Sequence, residues 1–322
     1  MSEILGGPVS VRDYVAIARP DHWVKNAFML PGAALAFMLD PSAGWHALPA
    51  LALAVAATCL IASANYTINE WLDAHTDRHH PVKSRRPSAL GRIRPGLVYL
   101  QYALLASAGL GLAALVGWPL VLTEAVLLGM GVLYNVPPIR TKDRAYLDVL
   151  SESVNNPLRL LLGWFAITSM AMPPGSILAC YWMGGAYLMA LKRFAEYRMI
   201  DDPARAGLYR RSFQHYTETS LLVSAFFYAI TAALLLGVFL IKYRIEFLLS
   251  FPFFALLFAW YLAIALRSRS DAINPEKLYR EKPFMAYTVF LVLLVMLLFV
   301  VEIPGLQVLV SSHALDGIVY GR

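Results

Sequence analysis

Residues 47–77 read ALPALALAVAATCLIASANYTINEWLDAHTD. The first 24 of them, from Ala47, form an apolar run, and roughly 20 such residues suffice to cross a bilayer core as a helix. Asn69, Asp73 and Asp77 close the run at i, i+4 and i+8, so on an α-helix they lie along one face. Three hard oxygen donors in that arrangement suit Mg²⁺, which prefers carboxylates and the phosphate oxygens of a substrate. An acid near mid-bilayer costs roughly 2.5–3.5 kcal/mol, so acids at the end of a membrane helix read first as functional. The alternative is a solvated helix end at the water boundary.

The same pattern of long apolar runs recurs through the chain. It has 322 residues, 59% of them hydrophobic and 15% charged, with a mean hydropathy of +0.57, the composition of a polytopic membrane protein. Apolar windows fall near 22–39, 47–70, 96–116, 119–135, 146–170, 176–198, 213–241, 246–266 and 284–303. They predict an all-α bundle of about nine spans, because long runs without period-2 alternation argue against a barrel. Residues 1–322 read as one integral membrane domain. Residues 1–21 form an interfacial N-terminal segment in which Val11 to Ala18 is a short helix. Cys59 and Cys180 are lone thiols with no metal or disulfide spacing.

Charge is distributed with a side. Arg78, Lys83, Arg85, Arg86, Arg92 and Arg94 follow the second span, and Arg140, Lys142 and Arg144 the fourth. Arg205, Arg210 and Arg211 follow the sixth; Arg267, Arg269, Lys277, Arg280 and Lys282 follow the eighth. The intervening loops near 40–46, 117–119 and 171–175 carry no Lys or Arg. The positive-inside rule puts the N-terminus and the basic loops in the cytoplasm of a multi-pass protein of the cytoplasmic membrane. The net charge of +6 thus reads as topology, and no nucleic-acid partner is expected.

Four polar clusters fall on that side. After Asp77, Pro81 stops the helix and Lys83, Arg85 and Arg86 follow, so a metal on the acids and cations on phosphate oxygens make a diphosphate site. His75, His79 and His80 raise zinc, which the absence of nearby Cys disfavours. Asp148, Glu152, Asn155 and Arg159 draw a stripe along the fifth span beside Asn156. Pro157 is expected to bend that helix and free a carbonyl near Ser153. The stripe suits a structural network or ligand contact equally. The sixth span ends in Tyr187, Lys192, Arg193, Glu196, Tyr197 and Arg198, followed by Asp201 and Asp202. Arg19, Trp23 and Lys25 lie near the start of the chain, where the first span begins. Convergence of all four clusters on one side implies one polar cavity there.

The Asn69-Glu70-x-x-Asp73-x-x-x-Asp77 motif after a second helix, with Lys83 and Arg86-Pro87 behind it, resembles the UbiA superfamily of intramembrane prenyltransferases. Tyr134-x-x-Pro137-Pro138-x-Arg140 is similar to that family's Y-x-x-P-P-x-R segment. In the family the first motif binds Mg²⁺ and the donor diphosphate. Most members carry a second acidic motif after the sixth helix, where this chain has Lys192-Arg193-Phe194-Ala195-Glu196. That basic pair, Arg19-Pro20-x-x-Trp23-Val24-Lys25-Asn26 and Ser212-Phe213-Gln214-His215-Tyr216-Thr217 resemble the decaprenyl-phosphate phosphoribosyltransferase branch. Glu70, where that branch usually has Asp, is a departure.

The resemblance implies a Mg²⁺-dependent transfer of 5-phosphoribose from phosphoribosyl diphosphate to a polyprenyl phosphate in the lipid. Asn69, Asp73 and Asp77 would hold the metal, with Asp73, Asp77 and Lys192 as catalytic residues. Arg19, Lys25, Lys83, Arg85, Arg86, Tyr134, Arg140, Asn155, Asn156, Arg159, Tyr187, Arg193 and Glu196 would bind substrate. The rival is transfer of a polyprenyl group from its diphosphate to an aromatic or other small acceptor, for which Asp201 and Asp202 would be a displaced acidic motif. A transporter would need polar residues along both halves of a path. The outward half here is nearly featureless apart from Glu124. The sequence leaves the lipid chain length, the number of metal ions and a homo-oligomeric state open.

Overall fold

The computed structural model of the chain describes residues 10–40, 44, 47–169, 171–267, 270–273 and 275–309. Residues 1–9 of the interfacial segment, Arg269, nearly all of the 40–46 loop and the end of the 1–322 domain lie outside the described residues.

The described chain is helical throughout, with no strand among those residues. Helix α1 (Val11–Ala18) is the short N-terminal helix expected. It buries Ile17 against Ile93 and Val98 and leaves Val11 and Val15 exposed. A 3-10 segment, Pro20–Met29, leads into α2 (Leu30–Leu39). Helix α3 runs unbroken from Leu48 to Asp77. Its 30 residues span about 45 Å at 1.5 Å each, longer than the roughly 30 Å apolar core of a bilayer. A turn or two at the Asn69–Asp77 end therefore projects beyond the apolar core. Helices α4 (Pro95–Val116) and α5 (Trp118–Asn135) pack on α3.

The expected fifth span is two helices, α6 (Leu147–Ser153) and α7 (Asn155–Phe165), divided at Val154. Pro157 sits in the first turn of α7, where its missing N–H is tolerated, so the break falls where the sequence predicts it. Helices α8 (Gly175–Ile200), α9 (Pro203–Tyr209), α10 (Glu218–Tyr243), α11 (Phe251–Ala265) and α12 (Lys282–Val300) complete the order.

Six of the described segments are by themselves long and apolar enough to cross a membrane: α3, α4, α5, α10, Ile245–Ala265 and α12. The other three expected spans are built differently. Helix α2 has only 10 residues, α6 and α7 are broken, and α8 is long but ends in Lys192, Arg193, Glu196 and Arg198. Helices α2 and α7 meet backbone to backbone. Gly32 of α2 lies so close to α7 that a Cβ there would sit 2.0 Å from the Leu160 carbonyl oxygen, and one on Gly163 would sit 1.9 Å from that of Met29. Such small-residue contacts let broken helices approach backbone to backbone inside a bundle. Of the apolar clusters in the core, one joins α3, α4, α5 and α7 and another joins α6, α8, α10, α11 and α12.

Candidate active site

Every acid at the projecting end of α3 is met by a cation from a different part of the chain. Glu70 accepts from Arg19 at 2.8 and 3.2 Å. Asp73 Oδ1 accepts from Arg140 Nη2 at 2.9 Å and Lys142 Nζ at 2.5 Å. Asp77 Oδ2 accepts from Arg86 Nη1 at 2.6 Å. Arg19 and Arg140 hold left-handed backbone, with φ of 50° and 33°, which costs a residue with a Cβ roughly 1–2 kcal/mol. Strain at two residues that both reach this motif points to a geometry kept for a site. Lys142 is buried and also donates to Asn135 Oδ1 at 2.8 Å. Burial pushes its ammonium down to about 8, helped by Arg140 and Arg210 and resisted by Asp73.

A second network joins α8 to the loops around it. Glu196 has no exposed surface; its Oε1 accepts from Lys83 Nζ at 2.6 Å and Tyr209 OH at 3.0 Å. Lys83 also bonds Tyr209 and lies over its ring. His80 Nδ1 accepts the backbone N–H of Val82 and Lys83 at 3.0 and 3.1 Å, which fixes the turn that delivers Lys83. Burial pushes the His80 imidazole below its ordinary value, with Lys83 opposing and Glu196 favouring its protonation. Arg193 bridges Asp148 Oδ2 (3.2 Å), Glu196 Oε2 (3.4 Å) and Tyr134 OH (3.0 Å). Asp148 also takes Ser212 Oγ and Tyr216 OH at 3.1 and 2.8 Å.

Two cavities flank α3. One, of about 230 Å³, is lined by Asp73, Thr76, Arg140, Lys142, Asp143, Tyr209, Arg210 and Arg211, with Leu72 and Pro137. It presents four cations and two carboxylates. The other, of about 50 Å³, lies one helical turn back along α3, beside Asn65, Tyr66 and Asn69. Tyr134, Asn135, Glu152, Asn155 and Arg159 close it. Asn135 and Tyr134, walls of the smaller cavity, bond to residues that line the larger one: Asn135 accepts from Lys142 and Tyr134 from Arg210 at 3.3 Å. The polar, ion-paired cavity can bind a multiply charged anion; the smaller one suits uncharged polar groups.

The sequence model of the UbiA prenyltransferase family matches residues 28–294. The chain belongs to that family. The decaprenyl-phosphate phosphoribosyltransferase of Corynebacterium glutamicum is 31% identical over 205 residues, 63% of this chain and 59% of that protein. This UbiA-family chain therefore matches less than two thirds of that relative's length. The protoheme IX farnesyltransferase of Stenotrophomonas maltophilia is 31% identical over 164 residues, 49% of this chain and 53% of that one. A UbiA homologue of Archaeoglobus fulgidus, solved bound to GPP and Mg²⁺, superposes with a TM-score of 0.67 at 22% identity, covering 90% of this chain and all of the other. That likeness carries the fold. This UbiA-family protein is an integral membrane protein.

The fold brings together most residues that the sequence singles out. Asp73 and Arg140 line the larger cavity; Asn69, Tyr134, Asn155 and Arg159 line the smaller. Lys83, Arg193 and Glu196 form the network behind the larger cavity, and Arg86 holds Asp77. Arg19 pairs with Glu70, and Lys25 lies beside His22 and over Tyr66. Lys192 is half-buried on α8, one residue round from Arg193. Asn156 packs against Gly185, and Arg85 is exposed.

Tyr187 is not brought to either cavity. It is buried in the core, its OH donating to the Phe258 carbonyl at 2.6 Å. Asp201 and Asp202 are exposed, and Asp202 caps α9 by accepting from Ala204 N and Arg205 N. Four lining residues carry no motif of their own in the sequence: Lys142, Arg210, Arg211 and Tyr209. The first three read there as topology charges, and only the α5–α6 and α9–α10 connections folding onto α3 reveal them. Alternation of basic and uncharged loops was the one available signal.

Proposed function

We propose that this protein transfers 5-phosphoribose from phosphoribosyl diphosphate to a polyprenyl phosphate, with Mg²⁺ as cofactor. The observation that carries the reading is the excess of cations around the larger cavity. Arg140, Lys142, Arg210 and Arg211 meet only Asp73 and Asp143 there, and Asp201 and Asp202 face away. A prenyl transfer brings one diphosphate, for which acids and metal suffice. A phosphoribosyl transfer brings a diphosphate, a 5-phosphate and an acceptor phosphate, which need more positive charge.

The donor set at α3 fits a metal shared with substrate. Asp73 pairs through Oδ1 and Asp77 through Oδ2, so among the described residues the second oxygen of each accepts no hydrogen bond. Among the described residues no three His, Cys, Asp or Glu converge to cage an ion. Mg²⁺ is commonly bound by one or two carboxylates plus substrate phosphates. Asp73 and Asp77 would hold it, with Asn69 a turn away. Bound there, the ion would supply Lewis-acid stabilisation of the departing diphosphate.

The residues of the chain do the rest. Arg140 and Lys142, already fixed by Asp73, and Arg210 and Arg211 opposite, clamp phosphate oxygens where negative charge grows as the bond to the sugar breaks. Because Arg140, Lys142 and Arg210 are pre-positioned by their partners Asp73, Tyr134 and Asp148, little reorganisation is needed. The acceptor phosphate is already an anion and needs no general base. Lys25 and Lys192 steer it, with the N-terminus and the site on the cytoplasmic face by the charge rule.

A second reading has its own support. The haem farnesyltransferase relative and the GPP-bound structural neighbour are consistent with prenyl transfer to a small acceptor. Purified protein with Mg²⁺ and phosphoribosyl diphosphate would be given either a polyprenyl phosphate or the matching unphosphorylated polyprenol. Phosphoribose on the phosphate lipid alone supports the proposal; no phosphoribosylated lipid in either arm sinks it.

A further inference from the structure

The smaller cavity holds chemistry that phosphate binding does not explain. Glu152 is half-buried on its wall and its carboxylate makes no ion pair or hydrogen bond among the described residues, although Arg159 lines the same space. The amide oxygen of Asn155 is buried there without a donor. Arg159 is turned to Asn26 Oδ1 at 3.1 Å and the Asn155 carbonyl. Asn65 Oδ1 is likewise buried without a donor, but it abuts Gly131, and the Asn65 amide donates to the Leu127 carbonyl at 3.0 Å. Beside the Arg159 guanidinium, whose Nε and Nη1 are engaged, the cavity offers an occupant acceptors, one of them a carboxylate, next to the membrane-spanning part of α3.

A buried acceptor without a donor costs about 1–3 kcal/mol, so this wall suits an occupant that carries donors. A prenyl tail has none. A sugar edge has hydroxyls, and a carboxylate on a ribose hydroxyl is a recurrent solution. Size agrees: one water-sized occupant needs about 10–15 Å³, so a cavity of about 50 Å³ takes a vicinal diol but not a whole isoprene chain. Position agrees too. Asn69 borders this cavity and Asp73 the larger one, and four residues of helix rise about 6 Å, the reach from a diphosphate to the ring carbons it is attached to.

Resting on the phosphoribosyl reading, we propose that Glu152, with Asn155, is the specificity-determining pair that accepts the sugar hydroxyls of the donor and rejects donors lacking them. The test is equilibrium binding to the full protein in detergent with Mg²⁺, which does not depend on turnover. Three probes are compared: phosphoribosyl diphosphate, its analogues lacking the 2- or 3-hydroxyl, and inorganic diphosphate. Wild type is expected to bind the parent about tenfold more tightly than at least one deoxy analogue, the value of one charge-assisted hydrogen bond. In Glu152→Gln that ratio falls toward one while affinity for inorganic diphosphate stays within twofold. Asn155→Ala, which removes a side chain from a cavity wall, gives the same direction if Glu152→Gln does not fold.

An unchanged ratio in a folded variant overturns the assignment, as does an equal loss for inorganic diphosphate. A wild type that binds parent and deoxy analogues alike overturns it too. Hydroxyl selectivity lost in the variant, in a protein that transfers no phosphoribose to lipid, would leave this assignment standing and the reaction wrong.

Discussion

Replacing Arg193 by Met asks whether the basic pair on α8 holds the protein together or meets substrate. Arg193 is buried and donates to two carboxylates, those of Asp148 and Glu196, which have no exposed surface. Removing one partner of a buried ion pair typically costs about 3–5 kcal/mol, because the charge left behind is uncompensated. Both carboxylates retain other donors here. Asp148 keeps Ser212 and Tyr216, with Arg210 at 3.9 Å, and Glu196 keeps Lys83 and Tyr209. The lower end, about 3 kcal/mol, is therefore expected.

At about 2 °C per kcal/mol for a chain of this size, Arg193→Met should lower the thermal midpoint in a fixed detergent by roughly 6 °C. Adding Glu196→Gln also takes the carboxylate from Lys83, so the double variant should melt lower than Arg193→Met but lose less than the sum of the two single variants, a non-additivity expected of residues in contact. Circular dichroism on melting gives the midpoints, and diphosphate binding at low temperature gives the ligand effect. A variant that melts within about 1 °C of wild type yet binds donor much more weakly would refute the structural role and make Arg193 a substrate ligand.

Three further outcomes follow from the same contacts. The folded state depresses the His80 imidazole below its ordinary value of 6.5, so between the two values the unfolded chain binds more protons. Its stabilising contribution is complete above 6.5 and is lost as pH falls. The melting midpoint should drop between pH 7 and 5, and less so in His80→Asn, which keeps an acceptor for the turn. Gly163→Ala would put a methyl 1.9 Å from the Met29 carbonyl and should cost about 1–3 kcal/mol by overpacking, read as a lower midpoint. Chelating divalent metal should abolish turnover and Mg²⁺ should restore it. Asp73→Asn should lower turnover at least tenfold and raise the Mg²⁺ concentration for half activity, an outcome checked by titration.

Much of this arrangement was legible in the residues, and the exceptions have physical causes. The helical class follows from apolar runs of membrane length, and the break near Ser153 from Pro157. The count of nine spans does not follow as simply. Pattern reading treats each apolar stretch as equivalent, whereas α2, α6 and α7 are short pieces, and α2 and α7 lie backbone to backbone through Gly32 and Gly163. The acids of α3 declare themselves by helical spacing, because local period carries that information. Their partners do not. Arg19, Arg86, Arg140 and Lys142 reach α3 from loops, and a loop cation facing water looks in sequence like one buried against a carboxylate. Tyr187 shows the converse: a tyrosine near a cationic cluster proves to be a core ring turned toward Phe258.

Donor choice is the measurement that bears most directly on the account. Purified protein in lipid bilayers, with Mg²⁺, would be given phosphoribosyl diphosphate with a polyprenyl phosphate, and in parallel a polyprenyl diphosphate with small aromatic acceptors. The cation-rich cavity predicts a kcat/KM for the phosphoribosyl donor at least a hundredfold above the prenyl donor, about 2.7 kcal/mol of transition-state preference. Prenylated acceptor as the product, with no ribose on lipid, would contradict it.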